Sequence, residues 1–353
     1  MELKNKTILI VSNEPWGDIW YSKHNWAYEL SKNNLVFFIN PPKRWRISNL
    51  FKKGIKIIDY NKNLKIFNYN NKLPFTRYKL FFNLNERIIY KTINEYFKQY
   101  NNIIFWTFDP YRLINPQKVK KNLSIYFIAD KYLTKREATL IENSDYIISI
   151  SKDLTDTLNI TNALILSHGI SESEFEADKE VELSNFILYV GNINYRLNFE
   201  LIEQLLKTFP QEKFLFIGKL EKVSDNNFKR IFVEKKYENL IYHPPVHFKE
   251  LKNYIAKAKL CLSPMRTDVQ GNDINHHKLL QYLAFGKPVL SSKLYDYKSN
   301  SLILQFETIE DAINIVKKTL KKKEDEKLKN ERINFAKQHI YDNLIKKIEK
   351  FIK

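Results

Sequence analysis

The chain has 353 residues, 44% of them hydrophobic and 14% aromatic, which is enough for two domains and too apolar for a disordered chain. No apolar run approaches the roughly 18 residues of a membrane-spanning helix, and the first run, residues 7–11, leads into polar residues unlike a secretory signal. The single cysteine, Cys261, excludes a disulfide within the chain, so we expect a cytoplasmic protein. The net charge of +18 favours anionic partners.

The N-terminal region begins with a strand–loop–helix–strand pattern. Residues 7–11 and 35–39 are apolar runs typical of buried parallel strands, and residues 23–32 have a helical pattern. The loop between the first strand and the helix, residues 13–22, is therefore expected at the carboxyl edge of a sheet, where α/β proteins bind ligands. His24 opens the helix, where it would contact a substrate near a reaction centre. The alternative that we favour is an ordinary surface residue at a helix start.

A strongly basic segment follows at residues 41–79. It contains eleven lysines and arginines against one acid, Asp59, and these are interleaved with aromatic and aliphatic residues. This mixture suits an anionic membrane surface, so we predict peripheral contact with the inner face of the cell membrane through residues 41–79. An ordinary solvated face and binding of single-stranded nucleic acid are the alternatives. We expect no nucleic-acid partner, because the positive charge is the only feature of the sequence that suggests one.

The rest of the first half continues the α/β pattern. We predict a helix over residues 80–100 and strands over residues 102–108, 124–129, 146–151 and 163–167. Asp109 and Asp130 come just past the ends of two of these strands, which makes them candidates for chemistry. For each of them we favour a structural role instead, as a loop residue or a helix cap. Residues 172–182 are acidic and weakly periodic, as expected of an interdomain linker.

A second α/β unit begins at residues 186–190. This predicted strand runs into Gly191 and then a helix over residues 199–208, which suggests a loop facing a phosphate. Further strands are predicted over residues 214–217, before Gly218 and Lys219, and over residues 241–246, with a helix over residues 248–258. Helices at residues 309–320 and 332–352 end the chain.

The most informative stretch is residues 267–292. A polar loop ends in the N-cap types Asn272, Asp273 and Asn275, a helix is predicted over residues 276–285, and Gly286 is placed to end it. The start of a helix at the carboxyl end of a strand is a favourable place for a phosphate. Lys278 lies in the first turn, where a cation is unfavourable next to the helix dipole, and a bound phosphate would explain its presence there. Gln281 can lie beside Lys278 on the same face. The pattern indicates a diphosphate site with a hydroxylated group attached, or else a solvated helix start with an incidental lysine.

Residues 278–289, Lys-Leu-Leu-Gln-Tyr-Leu-Ala-Phe-Gly-Lys-Pro-Val, resemble the donor-binding helix of GT-B glycosyltransferases, commonly Pro-x-Lys-Leu-x-Glu-Tyr-Leu-Ala-x-Gly-Lys-Pro-Val. His276 replaces the proline. The retaining "glycosyl transferases group 1" superfamily has two acids eight positions apart, for the donor sugar and the ribose. Asp273 keeps the first acid, and Gln281 replaces the second. Arg196 matches a basic residue that binds the diphosphate in those enzymes.

This resemblance implies an α/β fold with two Rossmann-like domains facing across a cleft: residues 1–170 for the acceptor, residues 171–330 for the nucleotide-sugar donor, and a C-terminal helix at residues 331–353 that packs back on the first domain. It implies a metal-independent, retaining glycosyltransferase without a cofactor. Such an enzyme would move a sugar from a nucleotide-diphosphate sugar to a glycan or lipid-linked acceptor in surface polysaccharide biosynthesis. A nucleotide-sugar 2-epimerase and a non-catalytic nucleotide-sugar-binding protein remain alternatives.

The resemblance also assigns roles to residues. Asp273 would orient the donor sugar, and an inverting enzyme would need a base from His24, Asp109 or Asp130. The predicted donor-binding residues are Gly191, Arg196, Lys219, Asn272, Asp273, Lys278 and Gln281. No metal site is predicted, because the histidines 276 and 277 are neighbours that point different ways on a helix.

Overall fold

A computed structural model of the chain describes residues 1–18, 20–50, 54–132, 134–273, 276–297, 301–322 and 324–352. Asn275 and residues 51–53 of the basic segment lie outside the described residues. The chain divides into two compact units. The first contains Met1–Leu166 with Leu344–Lys353, and the second contains Ser167–Asn343.

The first unit is built on an eight-stranded sheet. Its order is β3-β4-β2-β1-β5-β6-β7-β8, and all pairs are parallel except β3 with β4. The strands are β1 Thr7–Val11, β2 Leu35–Ile39, β3 Ile55–Asp59, β4 Leu64–Tyr69, β5 Ile103–Thr107, β6 Leu123–Ile128, β7 Tyr146–Ser149 and β8 Leu164–Ile165. The helices are α1 Ser22–Leu30, α2 Lys79–Tyr96, α3 Lys135–Asn143 and α4 Lys152–Thr157.

The second unit contains a six-stranded parallel sheet in the order β11-β10-β9-β12-β13-β14. Its strands are β9 Phe186–Val190, β10 Phe214–Ile217, β11 Leu240–His243, β12 Ala258–Ser263, β13 Val289–Ser292 and β14 Leu304–Phe306. The helices are α5 Phe199–Thr208, α6 Asn226–Phe228, α7 Leu251–Lys257, α8 His277–Ala284, α9 Ile309–Lys321, α10 Glu326–Lys337 and α11 Tyr341–Phe351, whose last residues belong to the first unit.

Among the parallel strands of each sheet, the strand order reverses once. In the first unit β1 lies between β2 and β5, and in the second unit β9 lies between β10 and β12. Two loops that leave adjacent strands at such a reversal go to opposite faces of the sheet and leave a crevice at the carboxyl ends. The loop after Val190 and the loop after Ser263 border the crevice of the second unit. The predicted α/β class is confirmed.

The basic segment contains two strands that the sequence analysis did not predict. β3 and β4 pair in antiparallel register, from Ile55 with Tyr69 to Asp59 with Lys65. The side chains of β4 at Leu64, Ile66 and Phe67 are buried, while β3 is mostly exposed at the sheet edge. Polar and basic residues on an edge strand hide the apolar alternation that marks a strand, and they also discourage pairing with another chain.

The predicted single helix over residues 332–352 is wrong. It is two helices, α10 and α11, and α10 begins earlier because Asp325 caps it by accepting the backbone N–H of Lys327 at 2.9 Å. The break between them arises because the backbone pairs elsewhere. Ile170 donates its N–H to the carbonyl of His339 at 3.0 Å, and Tyr341 donates to the carbonyl of Ile170 at 3.2 Å.

Gly218 follows the last residue of β10, at the carboxyl ends of the strands of the second sheet, and it is closely packed against the backbone of Gly191. A Cβ added there would lie 1.9 Å from the backbone oxygen of Gly191, and the φ angle of +156° also disfavours a side chain. Gly218→Ala should therefore lower the free energy of unfolding by about 2 kcal/mol or more, measured by urea denaturation. Gly17→Ala is the control, because nothing lies within 4 Å of its added Cβ. Equal effects of the two substitutions would contradict the packing.

Candidate functional site

The loop after β9 is shaped by Gly191. Its φ angle is +137°, a left-handed conformation that favours glycine, and a Cβ there would lie 3.0 Å from the hydroxyl of Tyr189 and 3.7 Å from Nζ of Lys278. The Tyr189 hydroxyl in turn donates to the carbonyl of Asn192 at 2.9 Å. Because Gly191 has no side chain, the backbone of this loop lies close to the Lys278 ammonium.

Asn272 fastens the loop after β12 to the loop after β9. Its side chain is 1% exposed, and its Nδ2 donates to the carbonyl of Arg196 at 3.0 Å and to that of Arg266 at 2.9 Å. The backbone N–H of Arg266 also donates to the carbonyl of Arg196 at 2.8 Å. Asn272 therefore uses its amide nitrogen to position the loops, and its predicted contact with a donor stays a prediction.

The start of α8 differs from the expectation. The N-cap residue is His276, with no capping bond from its side chain, so the predicted capping by Asn272 or Asp273 is wrong. His276 instead bonds through Nε2 to the carbonyl of Asn272 at 3.1 Å. Burial, then the nearby charge of Lys278, lowers the pKa of His276 to about 3, so the ring is neutral at pH 7. The expected end at Gly286, with φ +67°, is observed.

Lys278 lies in the first turn of α8, as predicted, and its charge is poorly compensated. Its Nζ lies 4.4 Å from the centre of the Tyr189 ring and 3.9 Å from Sδ of Met265. Among the described residues, no carboxylate lies within 4 Å of it. Burial lowers the pKa of Lys278 to about 7. Arg196 is near enough to His276, which contacts this loop, to lower the pKa of His276 as well. The two cations therefore belong to one region.

Gln281 lies one turn further along α8, and it has a partner that the sequence analysis missed. Its Nε2 donates to Oε2 of Glu174 at 2.6 Å. Glu174 is fixed because its Oε1 accepts the backbone N–H of Ser171 at 3.1 Å in a capping box. The Ser-x-x-Glu pattern at 171–174 signals that turn in the sequence, but it gives no sign that the carboxylate meets Gln281.

Two other predicted donor-binding residues are at the surface. Lys219 is exposed after β10 and forms an ion pair with Glu221 at 3.3 Å. Asp273 is exposed, and its backbone carbonyl accepts the N–H of Tyr295 at 2.7 Å. Neither geometry tests the predicted contacts with a donor.

His24, in the first unit, is fully buried, so the surface position that we favoured for it is wrong. Nδ1 accepts the N–H of Tyr21 at 3.1 Å, which leaves Nε2 to donate to the carbonyl of Pro15, also at 3.1 Å. Aromatic rings surround it, with the Trp16 and Phe38 centroids at 5.4 and 4.9 Å. Burial lowers the pKa of His24 to about 4, so it holds the loop as a neutral ring.

Asp109 follows β5 as expected, and it is 1% exposed. Its Oδ2 lies 2.7 Å from Nε of Arg112, and its Oδ1 accepts the N–H of Tyr111 at 2.8 Å. Arg112 also donates to the hydroxyl of Tyr69 at 2.8 Å. This buried ion pair agrees with the structural explanation that we favoured for Asp109.

Lys23 lies near enough to the two predicted acids to feel their charges, and the sequence analysis did not single it out. It is 6% exposed, and its ammonium donates to Oδ1 of Asn13. Burial lowers the pKa of Lys23, while the charges of Glu14, Asp109 and Asp130 act to raise it. Asp130 itself accepts the N–H of Lys131 at 2.8 Å. The structure thus gathers Asp109, Asp130 and a buried lysine at the carboxyl edge of the first sheet.

No protein-family model matches the chain. A curated protein of Bacillus subtilis (strain 168), named as a teichuronic acid biosynthesis glycosyltransferase, TuaH, is 23% identical over 237 residues. The match covers 63% of this chain and 58% of that protein, so it spans little more than half of the relative's length.

Solved structures match the whole chain. An E. coli structure described as trehalose-6-phosphate bound with UDP-2-fluoro glucose has a TM-score of 0.71 at 12% identity, covering 98% of this chain and 99% of that one. A sucrose-phosphate synthase from Thermosynechococcus elongatus has a TM-score of 0.68 at 13% identity, covering 98% of both chains. The chain has the GT-B fold. The resemblance to GT-B glycosyltransferases and the two Rossmann-like domains are confirmed.

Lys278 makes the stability of this GT-B chain depend on pH. Its pKa is about 7 when folded and 10.5 as a reference value, so the charged form destabilises the fold below pH 7 and the cost disappears as pH rises towards 10.5. Lys278→Met should therefore raise the free energy of unfolding by about 1 to 2 kcal/mol near pH 6, and by much less near about pH 10. Urea denaturation at both pH values measures this. Lys219→Met, at an exposed site, should show no such trend, and a constant gain for Lys278→Met would contradict the assigned pKa.

Proposed function

We propose that this protein is a glycosyltransferase that moves a sugar from a nucleotide-diphosphate sugar to a glycan or lipid-linked acceptor. The observation that carries the proposal is the ammonium of Lys278. It lies at the start of a helix beside a glycine loop, its pKa is lowered by burial, and no carboxylate among the described residues pairs with it. A partly buried cation without an anion is costly, and a diphosphate would reduce the cost.

The proposed reaction breaks the bond between the sugar's anomeric carbon and the diphosphate oxygen. A new bond forms from that carbon to an acceptor oxygen, whose proton is released. Lys278 and Arg196 would stabilise the negative charge on the departing diphosphate, a preorganised electrostatic effect. Asp273 would orient the sugar. Metal independence stays a prediction; among the described residues, no group of three His, Cys, Asp or Glu side chains could hold a metal ion.

A retaining reaction, in which the leaving phosphate assists on the same face, stays part of the proposal. Its support is the state of the predicted bases in the first unit. His24 uses both ring nitrogens in bonds to the backbone, and Asp109 is held in a buried ion pair with Arg112. An inverting reaction would require a base that is free to take the acceptor's proton. Asp130 is the predicted acid that remains for such a role.

The surface-polysaccharide setting is supported by the name of the Bacillus subtilis relative. The relatives described above bear glycosyltransferase and synthase names, which favours transfer over epimerisation. Contact with an anionic membrane is supported by a cavity of about 540 Å³ in the basic segment, lined by Lys43, Arg44, Arg46 and Lys56 among others. Cationic side chains of this kind attract anionic headgroups.

The first experiment is a thermal-shift screen against nucleoside diphosphates, followed by a transfer assay with the sugar nucleotide that binds. We expect one diphosphate to raise the unfolding midpoint, because it binds only the folded state. Lys278→Ala should abolish that shift, and Lys278→Ala and Arg196→Ala should each reduce transfer at least about a hundredfold. The matched control is Lys236→Ala, at an exposed lysine of the same unit. Wild-type turnover in both site variants would refute the assignment, while binding without turnover on any acceptor would identify a non-catalytic binding protein.

The pairing of Glu174 with Gln281 suggests that Glu174 supplies a carboxylate where the GT-B pattern has one at position 281. An acid and an amide side by side can accept and donate to the two hydroxyls of a ribose. Glu174→Ala should weaken binding of the nucleoside diphosphate about tenfold and leave binding of its 2′,3′-dideoxy analogue unchanged, measured by calorimetry. Glu172→Ala, on the same turn but exposed, is the control.

A charge exchange tests the same pair without a ligand. Gln281→Glu alone would place a second carboxylate against Glu174 and should lower the free energy of unfolding by about 1 to 2 kcal/mol. Adding Glu174→Gln restores one acid and one amide and should recover the loss. Failure of the double variant to recover would show that the bond at 2.6 Å does not matter to the fold.

A further inference from the structure

Helix α2 has an apolar side chain on more than one face. Phe82, Ile89 and Ile93 are buried, the last two in the core of the first sheet. The opposite side carries Leu80, Leu84 and Ile88, which are 67%, 39% and 37% exposed. Their spacing of four residues forms a continuous stripe along the helix surface. A surface helix normally has polar residues there, so the stripe needs an explanation.

Two aromatic side chains extend the stripe beyond the start of the helix. Phe75 is 61% exposed and Tyr78 is 53% exposed, with their ring centroids 6.5 Å apart. Phe75 has a φ angle of +56°, which is rare for a bulky residue. Backbone strain of this kind persists where the fold imposes it and is common at functional positions. The strained turn holds an apolar ring in solvent.

We name Phe75, Tyr78, Leu80, Leu84 and Ile88 the α2 patch. Among the described residues, fifteen large hydrophobic side chains are exposed, and five of them lie in this stretch of the chain. Scattered single residues would be ordinary, but a cluster on one helix and its preceding turn marks an interaction surface.

Positive charge surrounds the α2 patch. Arg77, Lys79, Arg87 and Lys91 are exposed in the same stretch. The one acid between residues 60 and 94 is Glu86, which is buried and accepts the N–H of Leu113 at 2.8 Å. Lys91 pairs with the exposed Glu95 near the end of α2 at 3.8 Å. Arg77, Lys79 and Arg87 have no exposed carboxylate near them in the sequence, so the start of the α2 patch is complementary to a negatively charged partner.

We propose that the α2 patch docks on an anionic lipid bilayer, with its apolar side chains in the headgroup–acyl boundary and the cations at the headgroups. Aliphatic side chains gain nothing from a nucleic acid but are removed from water in a bilayer. A second copy of the chain in a symmetric contact would bring these cations against their own copies. The long stems of lysine and arginine can lie along the apolar region while their charges reach the phosphates.

Docking of this kind is a surface contact. Among the described residues, no helix is long and apolar enough to cross a membrane. The inference does not require glycosyl transfer, because the α2 patch is independent of Lys278 and its surroundings. It goes beyond the proposed contact of residues 41–79 by naming the side chains that enter the lipid.

The test is flotation of the full chain with vesicles that contain phosphatidylglycerol, compared with vesicles of phosphatidylcholine alone. The variant Leu80→Ser/Leu84→Ser/Ile88→Ser removes the stripe and leaves every charge in place. The control Ile165→Ser/Val233→Ser changes two aliphatic side chains that are exposed elsewhere, at 44% and 62%. Circular dichroism and the unfolding midpoint establish that both variants fold.

We expect the wild-type chain and the control to float with anionic vesicles, and binding by the stripe variant to fall at least about tenfold. Added salt should weaken the wild-type binding, because the headgroup attraction is screened. The proposal is overturned if the wild-type chain floats with neither kind of vesicle, or if the stripe variant binds anionic vesicles as well as the wild type does. It is also overturned if the wild type is a dimer in solution that the stripe variant dissociates, because a second copy would then cover the α2 patch.

Discussion

The candidate site depends on the hydrogen bonds that Asn272 makes to the backbone. This buried amide joins the carbonyls of Arg196 and Arg266, which belong to loops leaving two adjacent strands at the point where the strand order reverses. Loops at such a crevice would otherwise diverge. Because one side chain holds both, α8, whose N-cap His276 comes four residues later, begins at a defined distance from the glycine loop.

That arrangement holds a cation in an unfavourable place. Lys278 lies against the ring of Tyr189 and the sulfur of Met265, neither of which neutralises an ammonium. The first turn of a helix adds further repulsion through its dipole. In the proposed function, this loss of stability is the cost of an anion site that is formed before the ligand binds. This is the usual relation between function and local instability.

The sequence predicted the regular elements of the second unit closely because they follow simple periodic rules. Residues 186–190, 199–208 and 214–217 match β9, α5 and β10 to the residue. Prediction failed where long-range contacts decide the outcome. The break between α10 and α11 depends on Ile170, which lies far away in the chain. The edge strand β3 has mostly exposed side chains, and its pairing with β4 has no local signal.

The candidate site divides in the same way. A helical apolar period and a glycine turn are local signals, so Gly191, Lys278 and Gly286 could be placed from the sequence, although the N-cap residue of α8 could not. Side-chain contacts between segments that are distant in the chain could not be predicted. Glu174 is 107 residues from Gln281 and Lys23 is far in the chain from Asp109 and Asp130, so neither grouping has a sequence pattern. The burial of His24 likewise depends on rings that the fold brings around it.

The net charge of +18 therefore describes two different physical situations. The cations around Lys278 are partly removed from water, where one charge can bind a small anion strongly because little solvent screens it. The cations around the α2 patch are exposed and individually weak, so they can act only together and only beside apolar side chains that contribute most of the binding. A count of charges in the sequence cannot separate these cases. Burial separates them: a positive group that the fold hides points to a specific ligand, whereas positive groups at the rim of an exposed apolar stripe point to an extended surface.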